Sequence, residues 1–98
     1  MIADDIMILR QGLKAVLEQD EDIQVVALAE NGKEAFEKCK VYEPDVVLMD
    51  MRMPEMDGLE ATRLIRAMDR PDAKTIPIIA LTSNAFDEDV QRSLQAGM

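Results

Sequence analysis

The strongest constraint on the fold is a repeated alternation between short apolar runs and segments with helical periodicity. The apolar runs are Met1–Ala3, Ile23–Ala29, Val46–Met49 and Pro77–Leu81. Each is short enough for a buried strand, and each precedes a stretch in which apolar residues recur every three or four positions. Strands that read as continuous apolar runs and alternate with helices indicate a parallel sheet covered on both faces. The sequence therefore predicts an open α/β sandwich of four βα units.

The helical segments carry their own start and stop signals. Asn31, followed three residues later by Glu34, resembles a capping box, and Asp87 is a candidate cap for a last helix that stops at Gly97. The residues that define the four helical patterns are Leu9, Leu13, Val16 and Leu17; Ala35, Phe36 and Cys39; Leu59, Thr62, Ile65 and Met68; Val90 and Leu94.

Size and composition exclude several classes of function. The chain has 98 residues, 48% of them hydrophobic, which is enough for one small domain with a core. One cysteine and no histidine exclude an internal disulfide, a Cys/His zinc or haem site, and a Ser-His or Cys-His pair. A net charge of −9 opposes direct contact with nucleic acid or anionic membranes. No long apolar segment or leader is present, so we expect a cytoplasmic protein.

Polar residues follow three of the four predicted strands, and these carry the candidate chemistry. Asp4 and Asp5 follow the first strand, Asp50 follows the third, and the run Thr82-Ser83-Asn84 follows the fourth. Parallel strands end at one edge of their sheet, where open α/β proteins bind ligands. If the first and third strands are neighbours, three carboxylates crowd together and need a cation, and an oxygen-only ligand set suits Mg²⁺.

Each of these features has a simpler interpretation when it is considered alone. Asp4 and Asp5 suit a helix cap, Asp50 suits a solvated turn, and Thr82-Ser83-Asn84 suits an N-terminal turn. Cys39 falls at a core position of its helix. Methionines 49, 51, 53 and 56 suit packing better than copper binding, because no histidine or cysteine accompanies them. Only the joint pattern of acids and strand ends favours a functional site.

The joint pattern resembles the receiver domain of two-component response regulators along the whole chain, residues 1–98. The segments that carry the resemblance are IADD, VVLMDMRMPEMDG and IPIIALTSNAF. The first half, ADDIMILRQGLKAVLE, is similar to receivers of DNA-binding regulators, whereas IRAMDRPDAKTIPIIALTSNAFDEDV is closer to receivers fused to hybrid histidine kinases. The resemblance implies a flavodoxin-like three-layer sandwich with a parallel sheet in the order 2-1-3-4. The parent architecture, a chimera included, stays open.

The resemblance also implies a role for each matching residue. Asp50 would be the phosphoacceptor, and Asp5 and Asp50 would bind Mg²⁺ directly. Asp4 would act largely through water, and the backbone carbonyl of Arg52 would supply another oxygen. Thr82 would offer its hydroxyl to the phosphoryl oxygens, beside the small Ser83. Asp57-Gly58 is implied to shape the loop after Asp50.

Similar receivers have a fifth βα unit, with a lysine that contacts the phosphoryl group and an aromatic residue that reorients on activation. The sequence ends before both, and Lys74 precedes the fourth strand, at the wrong end of the sheet to replace the lysine. The resemblance thus covers a receiver trimmed at each end. An open edge on the fourth strand predicts self-association of this chain.

Three classes of function follow from these observations. The first is a phosphoacceptor signalling module whose partner is a sensor histidine kinase or a phosphotransfer domain. The second is an interaction module that no longer takes phosphate, which the absent lysine favours. The third is a phosphatase with an aspartate nucleophile; it is disfavoured because Arg52 stands where such enzymes carry a second aspartate. We therefore expect a protein that is not an enzyme.

Overall fold

A computed structural model describes residues 1–81 and 97 of the chain. Strands and helices alternate along residues 1–81 as the periodicity predicts. The elements are β1 (Ile2–Ala3), α1 (Met7–Leu17), β2 (Leu28–Ala29), α2 (Gly32–Tyr42), β3 (Val47–Asp50), α3 (Gly58–Arg66) and β4 (Ile78–Leu81). The predicted last helix and the run Thr82-Ser83-Asn84 lie outside the described residues.

The four strands form one parallel sheet in the order β2-β1-β3-β4. The predicted order 2-1-3-4 is therefore confirmed. β1 and β3 are neighbours, with Ala3 opposite Met49, and Asp50 is the last residue of β3, opposite Leu81 of β4. This pairing brings the carboxyl ends of β1 and β3 to the same edge of the sheet.

The second strand is shorter than the apolar run predicts. The sequence suggested a strand over Ile23–Ala29, but only Leu28 and Ala29 pair with β1. β1 itself contributes only Ile2 and Ala3 to the ladder, so residues before Leu28 have little to pair with. Ile23 and Val26 consequently remain exposed on the surface.

The core lies between one face of the sheet and helices α2 and α3. Alternate strand residues such as Ala3 and Met49 pack there against Cys39 of α2 and Ile65 of α3, all fully buried. Burial raises the pKa of the Cys39 thiol to about 11, which agrees with its interpretation as a core residue. The alternate row on the other side of the sheet includes Ile79, which is 52% exposed.

The other face of the sheet is more open. Helix α1 contacts β1, but none of its residues is buried. A groove of about 410 Å³ runs along this face between the end of α1 and the strands, lined in part by Ile2, Leu17, Leu48 and Ile79. Within residues 1–81 and 97, no helix has the length and apolar character needed to cross a membrane.

Side-chain caps fix the start of two of the three helices within residues 1–81. Asn31 accepts a hydrogen bond from the backbone nitrogen of Glu34 at 2.8 Å, as the capping-box pattern predicts. Asp57 accepts one from the backbone nitrogen of Glu60 at 2.8 Å and so caps α3. The N-cap position of α1 is Ile6, which has no side-chain cap. The helix-cap interpretation of Asp4 and Asp5 is therefore not supported.

Candidate functional site

Three carboxylates meet at the edge of the sheet where β1 and β3 end. Asp4 and Asp5 follow β1 directly, and Asp50 ends β3. One carboxylate oxygen from each of the three lies within 4.8 Å of the others, and we call this group the carboxylate cluster. The structure thus brings together the three acids that the strand pattern predicted to lie at one sheet edge.

The three members of the cluster differ in how they are held. Asp4 is only 5% exposed, and its Oδ1 accepts a hydrogen bond from the backbone nitrogen of Ile6 at 2.9 Å. The Arg10 guanidinium donates to the Asp4 backbone carbonyl at 2.7 Å. Asp5 is exposed to solvent, and Asp50 is half-buried. The cluster therefore combines one anchored acid with two that a solvent-borne ion can reach.

Burial and like charge both act on the phosphoacceptor candidate. Burial raises the pKa of Asp50, and the negative charges of Asp4 and Asp5, with a side-chain hydrogen bond to Asp5, raise it further. The Arg52 backbone nitrogen donates to Asp50 Oδ1 at 3.3 Å and opposes this effect on the pKa. The ionised cluster is thus electrostatically costly, and a bound cation would relieve the cost.

The loop of residues 51–57, here called the β3–α3 loop, is packed closely behind Asp50. The Gly58 backbone nitrogen donates to the Met51 carbonyl oxygen at 3.1 Å, and Met51 and Met53 are buried. Met49 is also buried, and Met56 packs against the core. These positions agree with the packing interpretation of the methionines.

The donor set of the cluster fits a hard divalent cation. Carboxylate oxygens are the ligands that Mg²⁺ prefers, and a cluster of acids offers no nitrogen or sulfur to attract zinc or copper. Asp5 and Asp50 are accessible for direct coordination, whereas the buried Asp4 already accepts a backbone hydrogen bond. The Arg52 carbonyl stays a predicted ligand, and Thr82 and Ser83 lie outside the described residues.

Two contacts of the site were not predicted from the sequence. One is the hydrogen bond from Arg10 to the Asp4 carbonyl. The other joins the start of α2 to the β3–α3 loop, where the Gly32 nitrogen donates to the Met56 carbonyl oxygen at 2.7 Å. The polar Arg10 at the start of an otherwise apolar helix segment was a signal for the first contact; the single glycine in the Asn31-Gly32 helix start was a weak signal for the second.

Two known proteins are similar to this chain in sequence. The chain is 45% identical over 86 residues to the transcriptional regulatory protein LnrK of Bacillus subtilis (strain 168), covering 88% of this chain and 39% of LnrK. It is 47% identical over 83 residues to the protein-glutamate methylesterase/protein-glutamine glutaminase 2 of Carboxydothermus hydrogenoformans, covering 85% of this chain and 22% of that protein. The chain therefore spans well under half the length of both relatives.

A solved structure shares the fold and the arrangement of elements. The crystal structure of the CheX-CheY-BeF3-Mg²⁺ complex from Borrelia burgdorferi aligns with a TM-score of 0.85 and 28% sequence identity, covering 98% of this chain and 69% of that one. The sequence also matches the family described as response regulator receiver domain over residues 1–98. With its parallel sheet in the order 2-1-3-4 and its acids at one sheet edge, the chain belongs to the response regulator receiver domain family.

Proposed function

We propose that this chain is a phosphoacceptor module of a two-component system, in which Asp50 receives a phosphoryl group from a histidine kinase or a phosphotransfer domain. The observation that carries the proposal is the carboxylate cluster at the neighbouring carboxyl ends of β1 and β3. A half-buried carboxylate at a strand end, flanked by two further acids, combines a nucleophile with ligands for a divalent cation.

In the proposed reaction a carboxylate oxygen of Asp50 attacks the phosphorus of a phosphohistidine. A new O–P bond forms, the P–N bond breaks, and the electron pair of that bond goes to the imidazole nitrogen. The product is an acyl phosphate on Asp50. Bound Mg²⁺ would offset the negative charge that the three carboxylates and the phosphoryl oxygens bring together.

The residues of the site are proposed to contribute to cation binding in different ways. Asp5 and Asp50 would coordinate the ion directly, Asp4 would act through water, and the Arg52 carbonyl would add an oxygen. The hydrogen bond from Arg10 keeps the backbone of Asp4 in place. Thr82 and Ser83 are proposed to contact the phosphoryl oxygens. The related structure from Borrelia burgdorferi is a CheX-CheY complex with beryllofluoride and Mg²⁺, which supports a role for Mg²⁺ and a phosphoryl group at this fold.

An exposed apolar rim beside the cluster supports docking of a protein partner. Ile6, Met7 and Ile8 follow the acids directly and are 51%, 58% and 77% exposed. Large apolar side chains that cluster on a surface mark interaction sites, and the phosphodonor must approach Asp50 closely. We therefore assign this rim to contact with the kinase or phosphotransfer partner. We also propose that the protein acts in the cytoplasm and does not contact nucleic acid directly.

Labelling with acetyl phosphate tests the proposal. After borohydride trapping, mass spectrometry should place the modification on Asp50 and leave Asp4, Asp5 and Asp57 unmodified. Calorimetry should show Mg²⁺ binding that Asp5→Asn and Asp50→Asn weaken. Asp57→Asn is the matched control, because asparagine also caps a helix and position 57 lies outside the cluster. Label on another aspartate, or equal Mg²⁺ binding by wild type and Asp50→Asn, would contradict the proposal.

A receiver-like interaction module that takes no phosphoryl group is the second candidate. Lys74 precedes β4 and so lies toward the opposite edge of the sheet from Asp50, where it cannot contact a phosphoryl group on Asp50. Both candidates are binding modules, and neither requires an enzymatic turnover by this chain. Phos-tag electrophoresis after acetyl phosphate treatment separates them, since only the phosphoacceptor module gives a retarded band.

A further inference from the structure

The β3–α3 loop contacts the start of helix α2 through backbone atoms. The Gly32 nitrogen donates to the Met56 carbonyl oxygen at 2.7 Å, a short and favourable distance for such a bond. Gly32 is the first residue of α2, so its nitrogen has no partner within the helix and is free to bind the loop. The loop that follows Asp50 is thus tied to an element that contributes no acid to the site.

The contact leaves no room for a side chain at position 32. A β-carbon on Gly32 would lie 2.0 Å from the Met56 carbonyl oxygen and 2.9 Å from the Asp57 carbonyl oxygen. Both distances are below the 3.0 Å that real β-carbons keep from other heavy atoms. Because both obstructing atoms belong to the loop backbone, rotation of a side chain cannot relieve the overlap. Any side chain here must move the loop or the helix.

The start of α2 is held in place and cannot readily shift away from the loop. Asn31 is buried and caps α2 through the Glu34 nitrogen, which fixes the backbone on the other side of Gly32. Ala35, one turn further, is fully buried in the core. We therefore expect a β-carbon at position 32 to displace the loop at Met56 and Asp57.

Displacement of the loop reaches the phosphoacceptor because the end of the loop that Gly32 contacts continues directly into Gly58, which packs against Asp50. Gly58 follows Asp57, and a β-carbon on Gly58 would lie 1.9 Å from the Asp50 carbonyl oxygen. The Gly58 nitrogen also binds the Met51 carbonyl oxygen, next to Asp50. The backbone that carries Asp50 and Arg52 is consequently packed against the residues that Gly32 holds.

On the basis of the function proposed above, we propose that Gly32 is a positioning residue that, by its contact with Met56, holds the β3–α3 loop so that Asp50 and the Arg52 carbonyl are placed for Mg²⁺ binding and phosphoryl acceptance. Position 32 therefore requires a residue that has no side chain and whose backbone N–H can donate to the loop. Gly32 itself touches neither the ion nor the phosphoryl group.

The variant that tests this role is Gly32→Ala. At a temperature where circular dichroism shows the variant folded, its Mg²⁺ affinity and its rate of labelling by acetyl phosphate should each fall about tenfold, as for outer residues that orient metal ligands. Gly12→Ala is the matched control, because a β-carbon at position 12 meets no atom within 4 Å. Cys39→Ala is the stability control: it truncates a buried side chain of the same helix about two turns from Gly32, and we expect its Mg²⁺ affinity to be unchanged.

A second measurement uses the wild-type protein and does not depend on folding of the variant. If Gly32 holds the loop for the ion, then ion binding must in turn strengthen the Gly32 contact, because coupling between two sites is reciprocal. In NMR hydrogen-exchange experiments, saturating Mg²⁺ should slow exchange of the Gly32 amide, while the Gly12 amide should not change.

The outcomes separate this role from the proposed function. Wild-type protein that neither binds Mg²⁺ nor accepts label would overturn the proposed function and the role of Gly32 with it. Normal wild-type binding and labelling, with equal values in a folded Gly32→Ala, would overturn the role of Gly32 alone. If Gly32→Ala does not fold, the amide measurement decides, and unchanged exchange at Gly32 would overturn the role.

Discussion

Gly58 lies against the backbone of Asp50 so closely that a β-carbon at position 58 would stand 1.9 Å from the Asp50 carbonyl oxygen. Helix α3 can therefore begin directly behind the phosphoacceptor candidate only because residue 58 has no side chain. The buried Met49 side chain adds to the constraint, since its Cγ would lie 2.9 Å from the same β-carbon. The close packing links the position of Asp50 to the start of α3.

Gly58→Ala should consequently destabilise the fold, by about 1 to 3 kcal/mol in the free energy of unfolding, as overpacking typically does. Gly12→Ala provides the contrast, because position 12 is inside α1 with open space around it and alanine should stabilise the helix by about 0.5 to 1 kcal/mol. Urea denaturation measures both values. Equal stability of Gly58→Ala and wild type would show that the close contact is not maintained in solution.

The β3–α3 loop contains a residue in the left-handed backbone region. Glu55 has φ of 66°, which costs a residue with a β-carbon about 1 to 2 kcal/mol. Glu55 is exposed, so its replacement by glycine removes this strain with little loss of packing, and Glu55→Gly should stabilise the protein by about 0.5 to 1 kcal/mol. Glu60→Gly, at an exposed position in α3, should instead destabilise it. Thermal melts of the two variants should shift in opposite directions.

The raised pKa of Asp50 predicts how stability depends on pH in the absence of Mg²⁺. Between the ordinary aspartate pKa of about 3.9 and the higher pKa of Asp50, the folded protein binds more protons than the unfolded chain. The contribution of Asp50 to stability is therefore lost as pH rises through this range. Asp50→Asn should be more stable than wild type at neutral pH and should lack this part of the pH dependence.

Denaturation curves across weakly acidic to neutral pH measure the effect on the free energy of unfolding. Asp69→Asn, which removes an exposed carboxylate outside the cluster, is the control and should follow wild type. Saturating Mg²⁺ should reduce the difference between wild type and Asp50→Asn, because the ion stabilises only the protein that binds it. A variant less stable than wild type at neutral pH would contradict the electrostatic interpretation.

The apolar rim on α1 predicts a loss of transfer that is confined to protein donors. Ile8→Gln should slow phosphoryl transfer from a cognate phosphorylated partner about tenfold, corresponding to about 1.4 kcal/mol of lost binding. Labelling by acetyl phosphate should not change. Val16→Gln is the matched control, since Val16 is also exposed on α1 but lies about two turns beyond Ile8 along the helix. Slower labelling by both donors would instead indicate damage to the site.

The edge of the sheet predicts self-association. Within residues 1–81, β4 pairs with β3 and with no other strand, and Ile79 on β4 is 52% exposed. If this edge of β4 stays unpaired, its position beside apolar surface would favour pairing with a second copy. Light scattering over a dilution series should give a mass above that of one 11.0 kDa chain. Ile79→Lys should shift the protein toward monomer, whereas Val41→Lys, on the exposed surface of α2, should not. A monomer at all concentrations would refute the prediction.

Local periodicity in the sequence was sufficient for the elements and for the candidate acids. The apolar runs predicted all four strands, and the spacing of apolar residues predicted α1, α2 and α3. The cap at Asn31 followed from its separation from Glu34. These features are readable because strand and helix burial repeat at fixed intervals along the chain. The proximity of Asp4 and Asp50 could be predicted once the resemblance supplied the strand order.

Only the tertiary structure decided the contacts between segments that are far apart in the chain. The hydrogen bond from Gly32 to Met56, the overlap that excludes a side chain at Gly58, and the raised pKa of Asp50 all depend on distances of a few ångströms between separate elements. The short β2 likewise depends on how many residues of β1 it can pair with. Periodicity records which side of an element is buried, but it does not record which atoms of another element will lie against it.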